Sequence, residues 1–260
     1  MSKREHLGLD ALMALRDEYS ECDRCPLLCK SRNTPVFGSG SATAPILIIG
    51  DCPGDEEDDC GIPFVGPAGR RMMDMLRMAW PPTEEMAHLD GLWERYGDSD
   101  RYWDALRDYL DQHIFWTNLI LCRPTDSDGE RRAPAPNEIK NCRDRLQRTI
   151  YAVDPLLIIA VGKAPASALT GKVVQIAKQR GEVFDVKIPS PVTGDAVRYP
   201  CLATLSPGHL LSTGSAGLLA LEQGDTYETI EDLKWMFNTL LNPQYRDLYG
   251  TDFPERPDRN

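Results

Sequence analysis

Four short runs dominated by apolar residues punctuate the chain: Pro45 to Gly50 (PILIIG), Ile114 to Leu119, Leu156 to Val161 (LLIIAV) and Pro200 to Leu205. Each is strand-length with a glycine or a polar residue at or next to its end, the pattern of a strand buried on both faces. Between them the apolar positions recur at helical spacing. Leu9, Leu12, Met13 and Leu15 predict an amphipathic helix over residues 8–20, and another runs from Ala68 to Ala79. Residues 81–112 predict one or two surface helices inserted before the second strand. Asn137 is placed to cap a helix that continues to Val153, with shorter helices over Ala164 to Leu169 and Glu228 to Leu241. Residues 182–198 predict a hairpin turning at Thr193, Gly194 and Asp195. Strands alternating with helices specify an α/β fold with a four-stranded parallel sheet covered on both faces. One domain over residues 1–242 is expected, followed by a polar, Pro-rich tail at 243–260. Ligands gather at the carboxyl ends of such strands, where Asp51, Asn118, Gly162 and Ser206 fall.

Charge narrows the choice of partner. A net charge of -11 argues against a broad basic face for duplex DNA, so any nucleic-acid contact is local. Arg70 and Arg71, or Arg131 and Arg132, are candidates for such contacts. No run approaches the length of a membrane span, so a cytoplasmic monomer without membrane contact is expected.

The chain has 8 cysteines, and in that setting they point to metal ligands, catalytic groups or packing residues rather than disulfides. Cys22-x-x-Cys25 is a metal-type pair, and Cys122 and Cys142 supply two further thiols. Four thiolates fit a zinc site or an iron-sulfur cluster equally well by ligand count, and Cys29 is a neighbour that could enter the set. The alternative, that some are buried packing residues, stays open. Cys52, Cys60 and Cys201 are expected near the pocket or in the core.

The first strand ends in Gly50-Asp51-Cys52-Pro53-Gly54-Asp55-Glu56-Glu57-Asp58, followed by Gly61-Ile62-Pro63-Phe64-Val65-Gly66-Pro67-Ala68-Gly69. A Gly-Pro-Gly turn lets backbone approach a ligand closely, and an acid there can order water or stabilise a cation. The stretch resembles the GExPGxxED…GxPFVGxAG signature of the iron-sulfur-containing family 4 of the uracil-DNA glycosylase superfamily. The CxxCPL start, the TNxxxCRP pattern at Thr117 to Pro124, the VGxxA element at Val161 and the RG element at Arg180 agree in order.

That resemblance implies a three-layer sandwich, a DNA partner carrying uracil or a modified pyrimidine, and a [4Fe-4S] cluster on Cys22, Cys25, Cys122 and Cys142, with zinc as the alternative. It implies that Phe64 stacks on a base turned out of the duplex and that Asn118 reads the pairing edge. Asp51 would stand near the attacking water or the sugar cation, one methylene shorter than the family's glutamate, with Cys52 beside it at the base. Glu57 matches an acid near C5 of the pyrimidine. The family pattern TxHPSxxLR aligns with Thr204 to Leu211, so Ser206 replaces the histidine and Gly208 the serine. A hydroxyl is a weaker donor than imidazole to the charge that develops on the base. His209 is the candidate replacement, or else a histidine on the surface of the following turn. Gly208 and the shortened Asp51 leave room for a bulkier 5-substituted base. Two readings compete: a monofunctional glycosylase, and a binding module that kept base recognition without chemistry. Covalent capture of the base ranks below both, because the loop from Asp126 to Pro136 has arginines but no histidine.

Overall fold

The computed structural model describes residues 3–212 and 224–239, with side chains from residue 8 onward. In chain order the elements are α1 (Lys3–Ser20), α2 (Pro26–Ser31), β1 (Ser39–Gly40), β2 (Ile46–Gly50), α3 (Asp55–Cys60), α4 (Pro67–Ala79), α5 (Glu84–Tyr96) and α6 (Asp100–Asp111). There follow β3 (Ile114–Asn118), α7 (Pro136–Val153), β4 (Leu157–Val161), α8 (Lys163–Thr170), α9 (Ile176–Gln179), β5 (Val183–Pro189), β6 (Ala196–Thr204), α10 (Pro207–Ser212) and α11 (Gly224–Thr239). The predicted tail at 243–260 lies outside the described residues. None of the described helices is long and apolar enough to cross a membrane.

The sheet order is β1-β3-β2-β4-β6-β5. Its centre is the expected four-stranded parallel core, β3-β2-β4-β6. Two antiparallel edge strands, β1 and β5, extend it to six. The predicted hairpin and the predicted fourth strand prove continuous. β6 pairs with β5 along Ala196 to Leu202 and joins β4 only from Cys201, so Pro200 sits inside one strand, before the parallel pairing begins.

Alternation within each strand divides the core between two faces, because successive side chains point oppositely. Leu47, Ile49, Ile158 and Ala160 face α1, α2, α7 and α8, while Ile46, Ile48, Leu157 and Ile159 face α4, α5, α6, α10 and α11. Helices therefore cover the sheet on both sides, giving three layers. The two helices within 81–112 are not merely superficial, since Met86, Leu89, Tyr102, Leu106 and Leu110 are buried in the second cluster. On α1 the buried seam is Leu12, Leu15 and Tyr19, whereas Leu9 and Met13 are exposed.

Asn137 does not cap α7. The cap position is Ala135, two residues earlier, with Pro136 opening the first turn, and Glu138 accepts from the Ala135 N–H at 2.7 Å. Proline suits the first turn because its missing N–H has no helical partner there. Arg180 of the RG element does not line the cavity described below; it donates to Asp232 at 2.7 Å and ties the end of α9 to α11.

The chain leaves β2 for β3 on one side and returns to β4 on the other. That reversal opens a crevice at the carboxyl ends of β2 and β4. Leu119 N–H donates to Gly50 O at 2.8 Å and Gly162 N–H to Thr204 O at 2.8 Å, which holds the four strand ends together as the crevice floor.

Candidate active site

A cavity of about 390 Å³ occupies this crevice, lined by Asp51, Cys52, Glu57, Phe64, Asn118, Arg131, Ser206 and Gly208 among others. Seven of the eight predicted catalytic and base-binding residues meet there. His209 does not, standing exposed on α10 with its N–H bonded to Ser206 O at 3.0 Å. A larger cleft of about 550 Å³ between α7, α8 and β5 gathers no comparable set of acid, ring and carboxamide.

Convergence at the floor is tightest around Gly50. A β-carbon placed there would lie 2.4 Å from Asn118 Oδ1 and 2.9 Å from Phe64 Cζ, so only glycine admits both side chains. The carboxamide of Asn118 makes no hydrogen bond among the described residues and is free to read a ligand. On the other wall, a β-carbon on Gly162 would lie 3.4 Å from Ser206 Cβ and 3.6 Å from Asp51 Oδ1. Acid, hydroxyl, ring and carboxamide thus face one hollow of nucleobase size.

Phe64 adopts φ 58°, a left-handed conformation that costs a bulky residue of order 1–3 kcal/mol and persists only where its surroundings enforce it. Two devices enforce it. Glu57 accepts from Gly54 N–H at 2.9 Å, Val65 N–H at 3.0 Å and Gly66 N–H at 2.8 Å, fastening the Phe64 loop to the Gly-Pro-Gly turn. Arg107, reaching over from α6, donates to Pro63 O at 2.9 Å and to Phe64 O at 3.4 Å, while Asp111 holds its Nε at 2.6 Å. The ring then packs on Trp116, 5.3 Å between centroids. Glu57 lines the cavity, but its carboxylate is committed to this loop. Arg107 escaped the sequence reading because its role depends on the packing of α6, which no local motif announces.

Asp51 is the chemically distinctive group. Its Oδ1 is buried without a hydrogen-bond partner among the described residues. Burial pushes the carboxyl up to about 6, opposed by the positive charge of Arg131. Such a group is mostly ionised near neutrality and still basic enough to take a proton. The neighbouring Cys52 thiol is pushed up to about 11 by burial, so it stays neutral. The Ser206 hydroxyl makes no hydrogen bond among the described residues.

Away from this cavity, Cys22, Cys25, Cys29, Cys122 and Cys142 line one small enclosed space with Arg32. Arg32 donates to Cys122 Sγ at 3.1 Å and Asn141 to Cys25 Sγ at 3.4 Å, which would suit thiolates. Cys29 instead turns its thiol to Cys22 O at 3.1 Å. Burial raises the Cys122 thiol to about 11, so an ionised set there calls for a cation. The donors fit a four-thiolate group by chemistry, although among the described residues no three His, Cys, Asp or Glu side chains are gathered closely enough to hold a metal ion as they stand. Of the remaining cysteines, Cys201 is in the core and Cys60, contrary to expectation, is exposed.

Residues 37–216 match the family described as the uracil DNA glycosylase superfamily. A type-4 uracil-DNA glycosylase of Saccharolobus solfataricus is 30% identical over 180 residues, 68% of this chain and 68% of that protein. Its counterpart in Pyrobaculum aerophilum is 31% identical over 172 residues, 66% of this chain and 71% of the other. The Archaeoglobus fulgidus protein of the same name is 26% identical over 183 residues, 69% and 75% respectively.

Proposed function

The chain belongs to the uracil-DNA glycosylase superfamily, and from that premise we propose that it is a monofunctional DNA glycosylase. It hydrolyses the N-glycosidic bond of a uracil, or a uracil-like pyrimidine, turned out of DNA, and leaves an abasic site. The supporting observation is the meeting of Asp51, Phe64 and Asn118 in one cavity.

As the bond between the base and C1′ lengthens, electrons move onto the base and positive charge grows on the sugar. Phe64 holds the base by its face and Asn118 by its pairing edge. The Asp51 carboxylate stabilises the sugar cation and orders the water that adds to C1′, accepting its proton. Ser206 donates to the departing base where relatives of the family pattern carry histidine. A hydroxyl is a weaker donor than imidazole, and losing such a donor outright costs roughly 3–4 kcal/mol of transition-state stabilisation, so plain uracil is excised slowly. A base that leaves more easily, or one with a bulky 5-substituent accommodated beside Gly208, fits the altered cavity better.

Strands carrying uracil or 5-substituted pyrimidines, treated with protein and then alkali, should break at the modified site; strands that stay whole on every base sink the reading. Ser206→His should raise uracil excision by about two to three orders of magnitude. A pure binding module is the second reading, favoured by Ser206 together with the net charge of -11. It predicts retention of the uracil strand without any base release.

Cys22, Cys25, Cys122 and Cys142 are assigned to a [4Fe-4S] cluster, which when bound supplies a cross-link between the N-terminal segment, the end of β3 and α7. The purified protein should be brown; a colourless one containing a zinc ion would remove the iron assignment. The cytoplasm, where thiolate ligands persist, is the proposed setting.

A further inference from the structure

Among the described residues, the cavity lining contains four acids, Asp51, Asp55, Glu56 and Glu57, and a single cation, Arg131. Asp55 is paired with Arg123, and Glu57 is occupied by backbone N–H groups. Arg131 has no carboxylate partner among the described residues. Its chain neighbour Arg132 differs completely, donating to both oxygens of Glu138 at 2.9 and 2.6 Å and to Thr125 O at 2.9 Å.

The loop that carries Arg131 is braced. Thr125 and Arg131 form a β-bridge, Asp126 N–H donates to Glu130 O at 2.9 Å, and Asp126 Oδ1 accepts from the N–H groups of Asp128 and Glu130 at 2.9 Å each. With Arg132 anchored to α7, this bracing turns Arg131 to the opposite side, over the Gly-Pro-Gly turn. Its Nη1 lies 4.0 Å from where a β-carbon of Gly54 would be, and its charge acts on both Asp51 and Cys52. In a protein of net charge -11, an exposed guanidinium over a ligand cavity, with Cys52 and the more distant charge of Asp51 as its neighbours and no carboxylate within ion-pair distance among the described residues, is open to an anion that arrives with the ligand.

We propose that Arg131 is an anion-reading residue of this cavity, pairing with a negatively charged group of the bound nucleotide. Two sources carry that chemistry: the phosphate beside the extruded nucleotide, or an acidic substituent on the base itself. The inference rests on the glycosylase reading for the identity of the ligand, and binding tests it independently of turnover.

The test uses short single strands whose central nucleotide is a 2′-fluorinated deoxyuridine, which resists hydrolysis, and follows binding of the wild type, Arg131→Lys and Arg131→Gln by fluorescence anisotropy. One strand is otherwise unmodified, a second has uncharged methylphosphonates on both sides of that nucleotide, and a third carries 5-carboxyuracil. Arg131→Gln should weaken binding of the unmodified or the carboxylated strand about tenfold and lower the salt slope by about 1, with Arg131→Lys in between. A phosphate source is assigned if the methylphosphonate strand erases the difference between wild type and Arg131→Gln. A base source is assigned if the wild type prefers 5-carboxyuracil about tenfold and Arg131→Gln loses that preference. Equal binding of all three strands by wild type and Arg131→Gln overturns the proposal, as does a wild type that binds none. Base release from strands carrying ordinary uracil and 5-substituted pyrimidines is measured alongside. Its absence on every base defeats the glycosylase reading and leaves the binding arms to decide on Arg131.

Discussion

Asp51 shows at the scale of one residue how function opposes stability. Its carboxyl titrates near 6 in the folded protein against 3.8 as the ordinary value, because burial disfavours the charge. An acid with a raised folded value binds more protons folded than unfolded between those two pH values. The penalty for the buried charge is therefore complete above pH 6 and fades as pH falls towards 4. Asp51→Asn should stabilise the protein at pH 7.5, by at most about 3 kcal/mol, and the gain should vanish at pH 4, as denaturant titrations at the two pH values would show. The same variant should have no excision activity at any pH, while wild-type activity should decline on acidification through about pH 6. A stable, active Asp51→Asn protein would remove this carboxyl from the chemistry.

At the scale of elements, what the sequence disclosed was what depends on local pattern. Apolar runs marked β2, β3, β4 and the end of β6, and the strand ends then placed Asp51, Asn118 and Ser206 at one rim of the sheet. β1 was invisible because two residues carry no period, and the continuity of β6 was hidden by Pro200, which reads as a break until its strand partners are known. Long-range reach was hidden too. Arg107 lies 43 residues from Phe64 in the chain yet holds its carbonyl, and nothing near either residue predicts the contact. The close approach at Gly50 offers the sharpest test of this assembly. Gly50→Ala puts a methyl into the space of Asn118 Oδ1 and the Phe64 ring, so one or both must turn away. Affinity for a uracil strand should drop at least tenfold while the far-ultraviolet circular dichroism stays that of the wild type. Unchanged affinity would mean that the two side chains do not act on one ligand.

Across the whole molecule, the cysteine site and the base cavity have separate linings, and Arg145 reaches residues of both. It is wholly buried on α7 and donates to Thr117 Oγ1 at 3.0 Å, Asn118 O at 2.7 Å and Leu119 O at 3.0 Å. All three acceptors are neutral, so the guanidinium has to find its counter-charge elsewhere, and Cys142, Tyr19 and Cys122 are the groups whose charge reaches it. Tyr19 is itself pushed further from ionisation by burial, which leaves the thiolates of the proposed cluster as the compensating anions. Cys142→Ser should therefore cost about 3–5 kcal/mol, more than loss of packing explains, because a buried cation is left unpaired. Arg145→Met removes that cation, and the double variant Cys142→Ser with Arg145→Met should be more stable than the sum of the single losses by about 1 kcal/mol or more. Anaerobic urea titrations of the four proteins measure this coupling. If the two losses simply add, the charge of Arg145 is balanced by something other than the cysteine site, and the backbone of Asn118 is held independently of it.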